Sequence, residues 1–301
     1  LFWHAMLMGA DFNLPSTLNV HGFLTVNKKK MSKSRGTFLT AKEFAEDYHP
    51  EYLRYYYAKM LSRRLADIDL DLEDFYKAIN NELVANLGNL CYRTISFINK
   101  HFNGEIKDIP DEHEVIGDIK KRFDSIKEGY ETINFNRAAR DIMTISSMGN
   151  KYFQDKQPWQ LVKENRLDEA QKVCALCVNI VKNLCVLVKP MLPRFASELE
   201  KQLNLEDLDW DSLGFDLRDF KVGIPQVLIE KIDPKKIQEE EKKKQMNKEQ
   251  IKDQNKSGSA SHEKKDQMYA NLKVAEILEA KKHPDSDKLM IMQVYLGPDE
   301  E

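Results

Sequence analysis

The segment His21–Thr37 reads HGFLTVNKKKMSKSRGT. An apolar, strand-like run ends at Val26, and Lys28, Lys29, Lys30, Lys33 and Arg35 follow at once, with Ser32, Ser34 and Gly36 among them. Lysine ammonium groups are compact charges that suit phosphate oxygens. The serine hydroxyls add donors, and Gly36 lets the backbone bend. A cationic loop of this kind can neutralise the charge that builds on a leaving pyrophosphate in nucleotidyl transfer. On charge alone, the same residues also fit a solvated turn or a nuclear-localisation-like patch.

Working outward, Leu1 to Gly9 resembles the tail of a helix, and Leu18 to Val26 resembles a strand. The chain opens without an initiator Met or a basic signal-peptide region, which reads as the middle of a larger domain. From about Lys42 the pattern becomes helical. Pro50 can open a helix at its first turn. A long apolar stripe then runs through Phe75, Ile79, Leu83, Leu87, Leu90, Ile95, Ile98 and Phe102, with Asn103-Gly104 as its stop. Further helical patterns cover about 112–130, 134–153, 168–188 and 194–203. Helices joined by short connections predict an antiparallel bundle. Residues 234–265 hold no aromatic side chain and are rich in Lys, Glu and Gln, the composition of a solvated linker. Leu272 to Leu278 and Leu289 to Leu296 then read as two strands joined through 281–287.

With 46 basic and 49 acidic residues among 301, the formal net charge is -3, so a polyanion must be met by local basic patches rather than a global field. No run approaches 18 uninterrupted apolar residues, so no transmembrane helix is expected. Cys174, Cys177 and Cys185 lie in one apolar helical pattern, and Cys91 lies in another. The Cys174/Cys177 pair has no second pair and no nearby His to complete a zinc site, so all four read as small core residues and no metal ligand is assigned. Reduced, packed thiols fit a cytosolic protein.

The order of the residues separates the two readings of the loop. Lys30-Met31-Ser32-Lys33-Ser34 is the intact KMSKS signature of class I aminoacyl-tRNA synthetases, and it follows a strand and precedes a helical region as that class requires. HGFLTVN before it and RGTF after it resemble the methionyl-tRNA synthetase family, as do Arg54-Tyr55-Tyr56-Tyr57 and Asp67-Ile68-Asp69-Leu70. The resemblance implies a mainly α chain in four parts. Residues 1–40 are the remnant of an α/β Rossmann-type catalytic domain, and 41–233 a stem-contact region with an antiparallel helical anticodon-binding bundle. Residues 234–268 are a charged linker, and 269–301 the first strands of a tRNA-binding OB-fold. It implies a methionine–tRNA ligase that forms methionyl-adenylate from methionine and ATP with Mg2+ and transfers the amino acid to tRNA-Met. Lys30 and Lys33 would be catalytic, contacting the ATP phosphates. Met31, Ser32 and Ser34 would complete the nucleotide-binding loop, and His21 and Gly22 would lie beside the nucleotide at the strand end. A cytoplasmic location without membrane attachment and homodimerisation through a complete OB-fold belong to the same expectation.

Asn89 and Arg93 are four residues apart and share a helix face at the border of the apolar stripe. Trp159 follows Pro158, which can place the indole at a helix start. By pattern alone, the first two also fit an ordinary polar helix surface, and Trp159 a core or staple aromatic. The family's arrangement of an Asn, an Arg four residues later and a Trp in a Pro-Trp pair implies that Asn89, Arg93 and Trp159 read the splayed CAU bases of the anticodon. Val227 to Asp233 resembles the family's segment that returns toward the catalytic domain. Lys273, Lys281, Lys282 and Lys288 are candidates for phosphate contacts, or for a solvated hairpin rim.

The family's HIGH motif does not occur in these 301 residues. It and any zinc knuckle would lie upstream of Leu1. The chain is therefore expected to bind tRNA and not to catalyse alone. A non-catalytic tRNA-binding module and a helical scaffold with a lysine-rich surface loop are the alternatives.

Overall fold

The computed structural model describes residues 2–30, 40–107, 114–233, 276–283 and 286–295. The chain divides into two compact units, Leu1–Ile237 and Gln238–Glu301.

The first unit opens with α1 (Phe2–Gly9), none of whose residues is buried. The strand expected from Leu18 shortens to β1 (Leu24–Val26), which turns at Asn27 and Lys28 into β2 (Lys29–Lys30). Helices α2 (Ala41–Asp47) and α3 (Pro50–Met60) lead to β3 (Ile68–Leu70). β1 pairs antiparallel with β2 and parallel with β3, from Leu24 opposite Ile68 to Val26 opposite Leu70. That three-residue partner sets the length of β1, and the apolar Leu18, Val20 and Phe23 ahead of it stay exposed. The parallel pair with its helical crossover is the α/β element.

Both crossover helices start as their sequences direct. Thr40 and Glu43 form a reciprocal capping box on α2, and Pro50 occupies the first turn of α3.

The apolar stripe forms one continuous helical rod, α4 (Leu72–Ala78), a π-helical stretch (Ile79–Gly88) and α5 (Asn89–Phe102). The sequence pattern explains the wide middle. Phe75, Ile79, Leu83 and Leu87 recur every four residues, and all are fully buried. At about 100° per residue each four-residue step would overshoot one α-turn by about 40°. Wider turns keep the stripe on one face.

β4 (Glu105–Ile106), α6 (Glu114–Glu131), α7 (Phe135–Lys156), α8 (Pro158–Lys163), α9 (Leu167–Val188) and α10 (Pro193–Gln202) follow, and β5 (Phe220–Lys221) pairs antiparallel with β4. The hub is α9, buried at every residue from Val173 to Val188 and packed against α5, α7, α8 and α10. By length and composition it could cross a membrane, which a search for uninterrupted apolar runs misses, yet 94% of that apolar window is buried inside the bundle. It is the central core helix. All four cysteines are buried and free, as expected of core residues. Burial pushes the Cys91 thiol up to about 12 and raises those of Cys174, Cys177 and Cys185 as well, so they stay protonated. Gly149 lets α7 approach closely, since a Cβ there would lie 2.6 Å from Leu90 Cδ2.

From Leu213 to Asp233 the chain wraps the bundle as a largely irregular strap, tied down by side-chain amides. Asn183 bonds both backbone groups of Gly214, and Asn179 both of Leu217. Gln202 does the same for Gln226, and Asn80 for Ile232. Each amide supplies the donor and the acceptor that a neighbouring β-strand would supply, so the buried polar groups on both sides are satisfied.

The second unit contains a hairpin of β6 (Glu276–His283) and β7 (Ser286–Tyr295). Much of the connection expected at 281–287 is strand instead, since Lys281, Lys282 and His283 pair with Ile291, Met290 and Ser286. The charged linker lies outside the described residues.

Candidate functional site

Two places carry the residues singled out by the sequence. The first is the base of the lysine-rich loop. Asn27 and Lys28 both have positive φ, 48° and 60°, the geometry of a two-residue type I′ hairpin turn. Asp69 on β3 clamps this hairpin, since its Oδ1 accepts from Thr25 Oγ1 at 2.5 Å and from Lys28 N at 2.8 Å. Asp67 Oδ1 accepts from Phe23 N at 2.7 Å. The Asp-Ile-Asp-Leu run thus fixes the strand that launches the signature. Lys30 closes β2 opposite Thr25. Met31, Ser32, Lys33 and Ser34 lie outside the described residues. His21 is exposed, and its Nδ1 lies 2.7 Å from Gly22 O. Gly22 donates to Ala66 O at 3.0 Å, and a Cβ on it would lie 2.4 Å from Asp67 Oδ1, so only glycine fits this contact.

The second place is on the bundle, where α5, α7 and α8 meet. The Arg93 guanidinium lies 4.3 Å from the Phe153 ring centroid and 5.9 Å from that of Trp159. The two rings are 6.1 Å apart and tilted by 39°. Pro158 opens α8, as expected, and holds the half-buried indole at that helix's start. Arg93 makes no ion pair among the described residues, and its partial burial lowers its pKa. Its charge rests on ring faces, which attract cations through their quadrupole. Asn89 is exposed one turn earlier, and its Nδ2 donates to Asn150 Oδ1 at 3.4 Å. Asn150 in turn donates to Asn86 O at 2.9 Å, and Asn86 donates to Ser147 Oγ at 3.0 Å. The three expected residues therefore share one patch.

Phe153, Asn150 and Asn86, which hold that patch, were not singled out by the sequence. Neither was Tyr92, an exposed aromatic three residues beyond Asn89. A signal existed in the run of Asn at 80, 81, 86 and 89, an unusual density of amides along an apolar rod. Phe97, 5.8 Å from Phe153 and 4.4 Å from His101, continues the rings along α5. Among the described residues, no three His, Cys, Asp or Glu side chains converge to hold a metal.

The strand-anchored loop and the bundle match two family models. Residues 1–95 match the tRNA synthetases of class I, methionine type, and residues 104–250 match the anticodon-binding domain of methionyl-tRNA ligase. The methionine–tRNA ligase of Psychrobacter cryohalolentis is 41% identical over 238 residues, which make up 79% of this chain and 34% of that protein. In fold, the chain is similar to Mycobacterium tuberculosis methionyl-tRNA synthetase in complex with methionyl-adenylate, with a TM-score of 0.63 and 23% identity over 76% of this chain and 47% of that one. The apo form of the same enzyme gives a TM-score of 0.65 at 21% identity, over 77% of this chain and 47% of that one. The chain belongs to the methionyl-tRNA synthetase family. It spans about a third of the length of the curated relative it matches.

Proposed function

We propose that this chain is the loop-and-bundle portion of a methionine–tRNA ligase. In the whole enzyme the methionine carboxylate attacks the α-phosphate of ATP, methionyl-adenylate forms and pyrophosphate leaves; the amino acid then passes to tRNA-Met. Lys30 and Lys33 would stabilise the charge on the departing pyrophosphate, with Met31, Ser32, Ser34, His21 and Gly22 shaping the nucleotide's surroundings. Mg2+ would arrive with ATP, and any zinc would be held by residues outside this sequence. We assign residues 1–40 to the catalytic domain and 41–233 to the stem-contact region and bundle, with 234–268 as linker and 269–301 as OB-fold. A cytoplasmic location, no membrane attachment and dimerisation through a complete OB-fold complete the proposal.

Asn89, Arg93 and Trp159 would read the anticodon. The observation that carries this is the Arg93 guanidinium, held at 4.3 Å over Phe153 and facing Trp159 without a carboxylate partner among the described residues. Such a group offers donors to base edges, and the neighbouring indole offers a stacking face. The test is direct. The chain should bind tRNA with a CAU anticodon and show no methionine-dependent pyrophosphate exchange. Exchange by the chain alone, or no preference for CAU, overturns the proposal.

A further inference from the structure

One face of α7 runs beside the seam that α7 makes with the π-helical stretch. Arg140, Thr144, Ser147 and Lys151 follow one another along it at steps of four, three and four residues. That spacing puts them in one row, and Arg140 and Lys151 stand about 16 Å apart by helix rise. Arg140, Ser147 and Lys151 are exposed and Thr144 is half-buried. The row contains no carboxylate until Asp155, one turn past Lys151.

Several cations on the bundle are neutralised by carboxylates, and others, such as Lys120, Lys127 and Lys172, are exposed without an ion pair among the described residues; what sets this row apart is where it runs. Arg122 pairs with Asp141, Arg137 with Glu128, Lys121 with Asp118, Lys189 with Glu200 and Lys201 with Glu198. Arg140 and Lys151 have no ion pair and no side-chain hydrogen bond among the described residues. Arg63 and Arg64 are likewise exposed and unpaired, in the loop after α3. That loop begins where Leu61 O accepts from Asn136 N at 2.8 Å, at the start of α7, and ends against Gly22. At its other end the row reaches the amide cluster, where Ser147 Oγ accepts from Asn86. Unpaired cations and hydroxyls thus extend from the catalytic-side loop to the patch around Asn89.

We infer that this row is a track for the sugar–phosphate backbone of the tRNA stem between the anticodon and the acceptor side, with Arg140 and Lys151 each neutralising a phosphate. The inference rests on the tRNA-binding reading above and assigns the backbone contacts of that same surface. Such contacts position an RNA without reading its sequence, and each neutralised phosphate adds to the salt dependence of binding through counterion release.

The test is the affinity of the full chain for tRNA-Met and for the same tRNA with an altered anticodon, measured from low to moderate salt. The Arg140→Gln/Lys151→Gln double variant should bind both RNAs more weakly by the same factor. Its slope of log affinity against log salt should be shallower by about two, one for each cation removed. Lys172→Gln, an exposed lysine on α9, should leave the slope unchanged. An unaltered slope in the double variant, with wild-type binding intact, overturns the track alone. Failure of the wild-type chain to bind tRNA at all overturns the underlying reading and the track with it.

Discussion

The catalytic-side piece and the helical bundle are built with opposite degrees of self-sufficiency. In the bundle, α9 is wrapped on every side, and the buried Asn179 and Asn183 have partners at both ends of their amides. In the opening segment, α1 buries nothing, and Phe2, Trp3, Phe12, Leu18 and Val20 are each at least 66% exposed. Apolar side chains of this size, left in water, bring no stabilisation to the chain that carries them. The bundle therefore holds itself together, whereas residues 2–23 contribute little to the folding of the rest. Between them, α2 and α3 share the bundle's core, where Phe44, Tyr48 and Tyr56 pack on Phe75, and polar contacts fix the hairpin and the start of α10. Asp67 and Asp69 clamp the hairpin, and α3 docks on the bundle through Glu51, whose carboxylate accepts from Arg194 N and Phe195 N at the start of α10.

This contrast predicts a ranking of mutational effects. Leu184→Ala, in the fully buried last turns of α9, should cost the bundle about 2–5 kcal/mol by urea denaturation, because the void cannot collapse. A loss no larger than that of a surface change would break the comparison. Asn183→Ala should cost about 1–3 kcal/mol, since it leaves the Gly214 backbone groups unsatisfied, and proteolysis within the strap should rise with it. Raising the pH should sharpen the same point. Burial holds the Cys91 thiol pKa up to about 12 against an ordinary 9.0, so the unfolded chain loses this proton first. Stability is then full below about pH 9 and falls as the pH climbs from there toward 12, by at most about 1.4 kcal/mol per unit for that thiol. A urea midpoint unchanged from pH 8 to pH 10.5 would contradict the buried-thiol picture. The smallest effect belongs to the opening segment, where Trp3→Ala should shift stability by less than about 0.5 kcal/mol.

The same contrast explains what could be read from the sequence. Period and breakers were enough for the bundle: Pro50, Pro158 and Asn103-Gly104 start and stop helices where expected, and the stripe from Phe75 to Ile98 is the buried face. The strand from Leu18 was misread because apolar alternation does not say whether a pairing partner exists, and β3 offers only three residues. The π-helical stretch was visible in the four-residue spacing but needs the surrounding core to select it. At the candidate site, the family's pattern singles out Asn89, Arg93 and Trp159, and the structure brings them to one patch. Phe153, Asn150 and Asn86 were not legible, because the contacts that make them matter reach across 60 residues or more, as between Asn150 and Asn86.

The central claim is that the Arg93–Phe153–Trp159 patch reads an anticodon on a bundle that folds regardless of it. It is tested most directly by measuring Kd for tRNA-Met and for an anticodon-altered tRNA with wild-type chain and with Trp159→Ala, beside a thermal melt of each. The account predicts that wild type prefers CAU, and that the variant loses about 1–3 kcal/mol of binding to the CAU tRNA alone while its melt remains cooperative. Equal loss for both tRNAs with a collapsed melt, or no loss for either, would contradict it.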